Sequence, residues 1–187
     1  MSETAARRRL STAELTHIAV CAALMAVCSW VSISIPPLPP FTLQTFAVFL
    51  ILLLLGGRRG LYAVLTHLLL GAVGLPIFSH FNGGVGALLG TTGGYLLGFA
   101  LTAALYWALE GFFTRAPMLR LAALVAGLIV CYAFGTAWFM LVYARQSGAV
   151  GLGTALGWCV FPFIIPDLVK LALAWGLAAT LRRHVHL

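Results

Sequence analysis

Charge is scarce in this 187-residue chain: four acidic residues and eleven basic ones leave charged residues at 8%. The single lysine, Lys170, follows Val169, so the Gly-Lys-Ser/Thr of a P-loop cannot form, and ATP hydrolysis by that motif is excluded. His17, His67, His80, His184 and His186 show no HExxH spacing, which removes the zinc proteases of that type. Cys21, Cys28, Cys131 and Cys159 include no CxxC pair, so neither a metal centre nor a disulfide framework is expected, and no resident cofactor is. Intramembrane serine proteolysis needs an activated serine beside a deep histidine. His67 could serve, but Ser79 and Ser147 sit at loop edges without a glycine-flanked motif. No candidate catalytic group remains.

Apolar residues are what the chain has in excess: 62% of it, with a mean hydropathy of +1.06. A soluble core needs far less, so the composition predicts an all-α polytopic membrane protein surrounded by lipid. Six segments approach the length of about 20 residues that a spanning helix needs. They are residues 15–35, 43–55, 60–78, 88–113, 121–143 and 155–181, the second being short. Short connections rich in Pro, Gly and Arg separate them, and no repeat or soluble domain is visible. The expected organisation is a basic N-terminal segment (1–12), a six-helix substrate-binding domain (13–181) and a basic tail (182–187).

Arginine placement predicts the orientation. Arg7, Arg8 and Arg9 precede span one, Arg58 and Arg59 follow span two, Arg115 and Arg120 follow span four, and Arg182 and Arg183 follow span six. With six spans all of these share one side, leaving Arg145 alone on the other. The positive-inside rule then puts both termini in the cytoplasm, with the protein in the cytoplasmic membrane. The net charge of +7 is therefore a topology signal and implies no nucleic-acid partner. The basic start and following apolar stretch also resemble a signal peptide, but that stretch is long, lacks a small-x-small cleavage site before Pro36 and precedes five more spans. It reads as a retained first helix.

Asp167 and Lys170 stand inside the sixth span. A charge near the middle of a membrane helix costs about 2.5–3.5 kcal/mol on insertion scales, so such residues face a protein interior or a cavity. At i and i+3 they point an acceptor and a donor into the same space. The readings are a substrate contact or an ion pair that holds the helix in register. Elsewhere, Gly86, Gly90, Gly94 and Gly98 recur every fourth residue, a strip that lets a helix or a ligand approach the backbone closely. Asn82-Gly83-Gly84 reads as a tight turn whose amide could also bond a solute. Ala19 with Ala23, and Ala22 with Ala26, give span one a small-residue face suited to packing or to docking another membrane subunit.

Four features in order give the chain a resemblance over residues 18–174. They are the Pro-rich loop with Phe41-Thr-Leu-Gln-Thr45, the Leu-Gly-Gly-Arg-Arg-Gly60 turn, the block from Gly74-Leu-Pro-Ile-Phe78 to Thr92-Gly-Gly-Tyr-Leu-Leu-Gly-Phe99, and Pro166-Asp-Leu-Val-Lys170. The chain resembles the BioY family, the biotin-specific S-components (substrate-capture subunits) of energy-coupling factor (ECF) transporters. Thr91 stands where that family usually has proline, and Ile165-Pro166 precedes Asp167 where it usually has Pro-Gly. The resemblance implies an S-component-like bundle of six membrane helices that binds biotin for uptake without transforming it. Asn82, Asp167 and Lys170 are the implied polar contacts, and Gly83, Gly84 and Tyr95 shape the site. It also implies a transmembrane coupling subunit and two cytoplasmic ATPases as partners, with Ala19, Ala22, Ala23 and Ala26 as the docking face. The competing readings are an S-component for another vitamin, such as thiamine or riboflavin, an intramembrane enzyme using Asp167 as a base, and a structural subunit whose ion pair binds nothing.

Overall fold

The computed structural model describes residues 11–35, 38–113 and 118–184. Arg7–Arg9, Pro36, Pro37, Arg115 and His186 lie outside the described residues. Helix α1 (Thr12–Trp30) opens with a reciprocal cap: Ser11 Oγ accepts the Glu14 N–H at 3.2 Å while Glu14 Oε2 accepts the Ser11 N–H at 2.9 Å. Donors that lack an intrahelical partner are thus satisfied at a helix start. After α1 come a two-residue antiparallel ladder, β1 (Ser32–Ile33) with β2 (Phe41–Thr42), then α2 (Gln44–Ala72) and α3 (Val85–Leu89). The chain continues through α4 (Gly93–Leu109), α5 (Met118–Ser147), α6 (Leu152–Cys159) and α7 (Phe161–His184). Within lipid only self-satisfied backbone can cross, which is why apolar runs of this length become helices.

Among the described residues, five helical stretches are long and apolar enough to span. The sixth crossing comes from α2, which folds back on itself at Gly56 (φ 79°, ψ 177°). On a straight helix residues 52 and 60 would be about 12 Å apart. Here a Cβ on Gly60 would sit 3.5 Å from Leu52 Cα, so residues 44–55 and 57–72 are two antiparallel arms. The turn is closed by charged groups. Glu110, at the end of α4, accepts the Gly57 N–H at 3.1 Å, at the start of the second arm. Arg59 Nε donates to the Leu55 carbonyl at 3.0 Å, and the Arg182 guanidinium donates to the Leu53 carbonyl at the end of the first arm. Anions at helix starts and cations at helix ends complement the helix dipole.

Helices α1, α4 and α7 pack around α2, and α4 makes its widest contact with α5. Glycines on both partners bring α4 and α5 together. A Cβ on Gly94 would be 2.3 Å from Trp138 Cβ, and one on Gly98 would be 2.7 Å from Cys131 Sγ. Reciprocally, Gly127 faces Thr102 and Gly135 faces the Tyr95 ring. Thr102 Oγ1 adds a bond to the Gly127 carbonyl at 2.8 Å. The four-residue glycine strip is therefore divided: Gly94 and Gly98 pack helices, Gly90 breaks the chain between α3 and α4, and Gly86 meets open space. The expected fourth span accordingly begins at Gly93, because the extended backbone at Gly90 ends α3. Val160 similarly separates α6 from α7 within the expected sixth span.

Candidate functional site

Pro162 lies in the first turn of α7, where its missing N–H is harmless, but Pro166 falls inside the helix and deprives the Pro162 carbonyl of its donor. Asp167 follows immediately and is 3% exposed. Its carboxylate is held from two directions: Tyr132 Oη on α5 donates to Oδ2 at 2.6 Å, and Lys170 Nζ donates to Oδ1 at 2.8 Å. A carboxylate has about four acceptor positions and an ammonium three donors, so both groups keep bonding capacity. Asp167, Lys170 and Tyr132 all border the same cavity.

That cavity is a partly open cleft between the helices and the loop before α2. Leu96 and Phe99 of α4, Leu128 of α5 and Phe163 of α7 supply apolar walls. Phe41 stacks on Phe163 at 4.2 Å between centroids, tying the loop before α2 to α7. The ring of Tyr95 lines the space while its hydroxyl is bonded to Thr136 Oγ1 at 3.0 Å. On the loop side the lining changes to Pro39, Pro40, Thr42, Gln44 and Thr45, with Ser79 and Thr92 opposite. Apolar walls with a few placed polar groups are the usual form of a small-molecule site.

The structure brings Asp167, Lys170 and Tyr95 together at the cavity and leaves Asn82, Gly83 and Gly84 outside its lining. Asn82 is exposed, and its backbone closes a turn: its carbonyl accepts from Phe78 N at 2.9 Å and its N–H donates to Ser79 O at 3.3 Å. Gly83 has no room for a Cβ, which would lie 2.3 Å from the Leu75 carbonyl oxygen, and Gly84 takes φ 89°. The turn thus fixes Ser79, which does reach the cavity. Next to it His80 and Phe81 hold positive φ, steadied by a 2.9 Å bond between His80 Nε2 and Ser34 Oγ and by Phe81 stacking on Trp30 at 5.1 Å.

Sequence reasoning missed Tyr132, Gln44, Thr45, Ser79 and Thr92 as cavity residues. Gln44 and Thr45 belong to the Phe41–Thr45 motif, which carried a signal of likeness but none of direction. All four alanines of the expected docking face border one apolar groove between α1 and the second arm of α2, where Thr66 and Leu70 form the other side. Ala19 and Ala23 are exposed there, whereas Ala22 and Ala26 are buried against the bundle. The four cysteines are free thiols, and Cys131 and Cys159 border the cavity.

Comparison with known proteins extends over nearly the whole chain. The BioY family model matches residues 2–187. A "Biotin transporter BioY" of Thermotoga maritima is 40% identical over 178 residues, covering 91% of this chain and 96% of that protein. A "Probable biotin transporter BioY" of Pyrococcus horikoshii is 36% identical over 169 residues, covering 90% and 96% respectively. Among solved structures, the S-component for biotin from an ECF-type ABC transporter superposes with a TM-score of 0.80 at 25% identity, covering 95% of this chain and 96% of its own. Motifs, membrane fold and alignment agree, and the chain belongs to the BioY family.

Proposed function

We propose that this chain is the biotin-capturing S-component of an ECF-type transporter, binding the vitamin at the outer face of the cytoplasmic membrane for uptake. The observation that carries this reading is the Asp167–Lys170–Tyr132 cluster on the wall of an otherwise apolar cavity. Biotin presents a ureido group with two N–H donors and one carbonyl acceptor beside an apolar thioether ring. A carboxylate with free lone pairs next to an ammonium with free N–H groups matches that ureido edge, and the Tyr95 ring with the Leu and Phe walls matches the rest. The Asn82–Gly83–Gly84 turn contributes through Ser79, which it fixes at the wall. Nothing in this arrangement calls for chemistry on the ligand.

Two features support the orientation. The cavity opens beside β2 and the start of α2, while Arg58, Arg59 and Arg182 gather at the opposite, Gly56 end. By the positive-inside rule that basic end faces the cytoplasm, with both termini. Uptake then needs energy from elsewhere, and the proposed partners are a transmembrane coupling subunit and two cytoplasmic ATPases. The groove lined by Ala19, Ala22, Ala23 and Ala26 is the proposed docking surface, since small residues let a partner helix approach closely. Ala23→Leu is expected to prevent co-purification with the coupling subunit and to leave biotin affinity unchanged; intact assembly would place the docking surface elsewhere.

The decisive experiment titrates detergent-purified protein with biotin, thiamine and riboflavin, and recovers the ligand afterwards. One-to-one binding of biotin alone, returned unaltered, is the expected result. Preference for another vitamin redirects the assignment, and an altered ligand turns Asp167 into the base of an enzyme.

A further inference from the structure

We propose that Arg120 and Arg182 together form a binding site for the phosphate of an anionic phospholipid, at the Gly56 end of the bundle between the start of α5 and the end of α7. The site follows from the membrane fold and is independent of what the cavity binds.

Both arginines stand on the inward stripes of their helices. On α7 the buried residues include Asp167, Leu171, Ala174 and Ala178, and one further turn along that stripe is Arg182. On α5 the buried stripe runs back from Cys131 through Gly127 to Leu124, and one turn before it is the half-buried Arg120. Helix α4 supplies the floor. Its Tyr106 is 2% exposed, packs on Phe113 at 4.8 Å between ring centroids, and lies within electrostatic reach of both guanidiniums. The two guanidiniums also lie within reach of each other. Helices α5 and α7 make no broad contact, so packed backbone does not close the space between their ends.

Two like charges gathered over one end of a bundle repel unless an anion joins them. The chain supplies none here: among the described residues no carboxylate lies within ion-pair distance of Arg120 or Arg182. Glu110, at the end of α4, is turned to the Gly57 N–H at 3.1 Å instead. Arg182 spends part of its guanidinium on the Leu53 carbonyl, and Arg120 makes no hydrogen bond among the described residues. Most of their N–H donors therefore stay available, and a guanidinium fork matches phosphate oxygens in pairs. The surroundings select the source of the phosphate. Phe112 is 61% exposed and Met118 68%, with Trp107 and Leu119 exposed beside them. Aromatic and apolar side chains turned outward at helix ends sit at the headgroup level of a bilayer. A phosphate that reaches Arg120 there belongs to a lipid, whose acyl chains lie against these side chains. Basic pockets between membrane helices hold anionic headgroups by the same pairing. Phosphatidylglycerol, with its net negative charge, fits two cations; phosphatidylcholine brings a cation of its own and fits them poorly.

The test uses delipidated full-length protein in neutral detergent, with phosphatidylglycerol, phosphatidylcholine and inorganic phosphate as probes and native mass spectrometry as the readout. The wild type is expected to retain phosphatidylglycerol about tenfold more strongly than phosphatidylcholine, and inorganic phosphate should not displace it. Arg120→Gln and Arg182→Gln should each reduce that preference to about twofold, and the double variant should go no lower, because both side chains grip one phosphate. Arg183→Gln is the control: its side chain is exposed and off the buried stripe, so the full preference should survive. Equal retention of the two lipids by the wild type overturns the proposal. So does a loss in Arg183→Gln as large as in Arg120→Gln, which makes the effect a diffuse surface charge. Displacement by inorganic phosphate overturns the lipid as occupant. Should Arg182→Gln fail to fold for want of its bond to Leu53, Arg120→Gln, which gives up no hydrogen bond among the described residues, decides alone.

Discussion

At the Gly56 end of the bundle, charged side chains close helix ends, whereas at the Thr42 end hydroxyls and an amide border the cavity. Glu110, Arg59 and Arg182 each meet a backbone group freed by the reversal of α2. Across the bundle, the Thr45 hydroxyl meets no partner among the described residues, and Asp167 and Lys170 use only part of their bonding capacity on each other. The chain has few polar groups, and the difference teaches how to tell their uses apart. A polar group whose partner is backbone holds the fold together, and one that borders the cavity keeps bonding capacity to spare.

Substitutions can break that division or sharpen it. The largest effect is expected at Gly56→Val, which forces a side chain into a φ of 79° with its Cβ 2.5 Å from Glu110 Oε1. The backbone conformation alone costs a non-glycine residue about 1–3 kcal/mol, so the melting temperature in detergent should fall steeply. Any folded fraction should bind biotin normally; a weakened site in folded protein would merge the two ends. Next come Asp167→Asn and Lys170→Ala, each expected to weaken binding about tenfold, or about 1.4 kcal/mol. Each also leaves a buried charge without its partner, which destabilises the fold. The double change Asp167→Asn/Lys170→Met removes that strain and should restore the melting temperature without restoring affinity. A double variant that binds as tightly as the wild type reduces the pair to a brace for α7. Tyr132→Phe deletes the 2.6 Å bond to Asp167 and should cost about threefold in affinity, read by calorimetry. The smallest effect belongs to Glu110→Gln, which keeps an acceptor for Gly57 but loses the charge at a helix start. About 0.5 kcal/mol of stability should go, with affinity untouched.

Much of this could be read before the fold was known. The spans, the arginine bias and the Asp167–Lys170 pair were legible because charge is so rare in these apolar runs that its position stands out. Gly94 and Gly98 were legible as packing residues from their spacing alone. The inward direction of Tyr132, Gln44 and Thr45 was not. A helix in lipid is apolar on every side, so the periodicity that marks the buried face of a soluble helix is lost. The chain breaks at Gly90 and Val160 were hidden for the same reason, since apolar residues continue through both. The Asn82–Gly83–Gly84 turn was legible from its residues, and the Asn82 backbone closes it.

The reversal at Gly56 also sets a parity. With it the chain crosses an even number of times, and Arg182 returns to the end where Arg59 already sits. Straightened, the same 29 residues of α2 would make one long crossing, and every later element would be inverted. Arg58 and Arg59 would then fall near the middle of that crossing, and α4 and α7 would bring the walls of the cavity to the membrane upside down. One residue without a side chain thus decides toward which end of the bundle the cavity lining is carried.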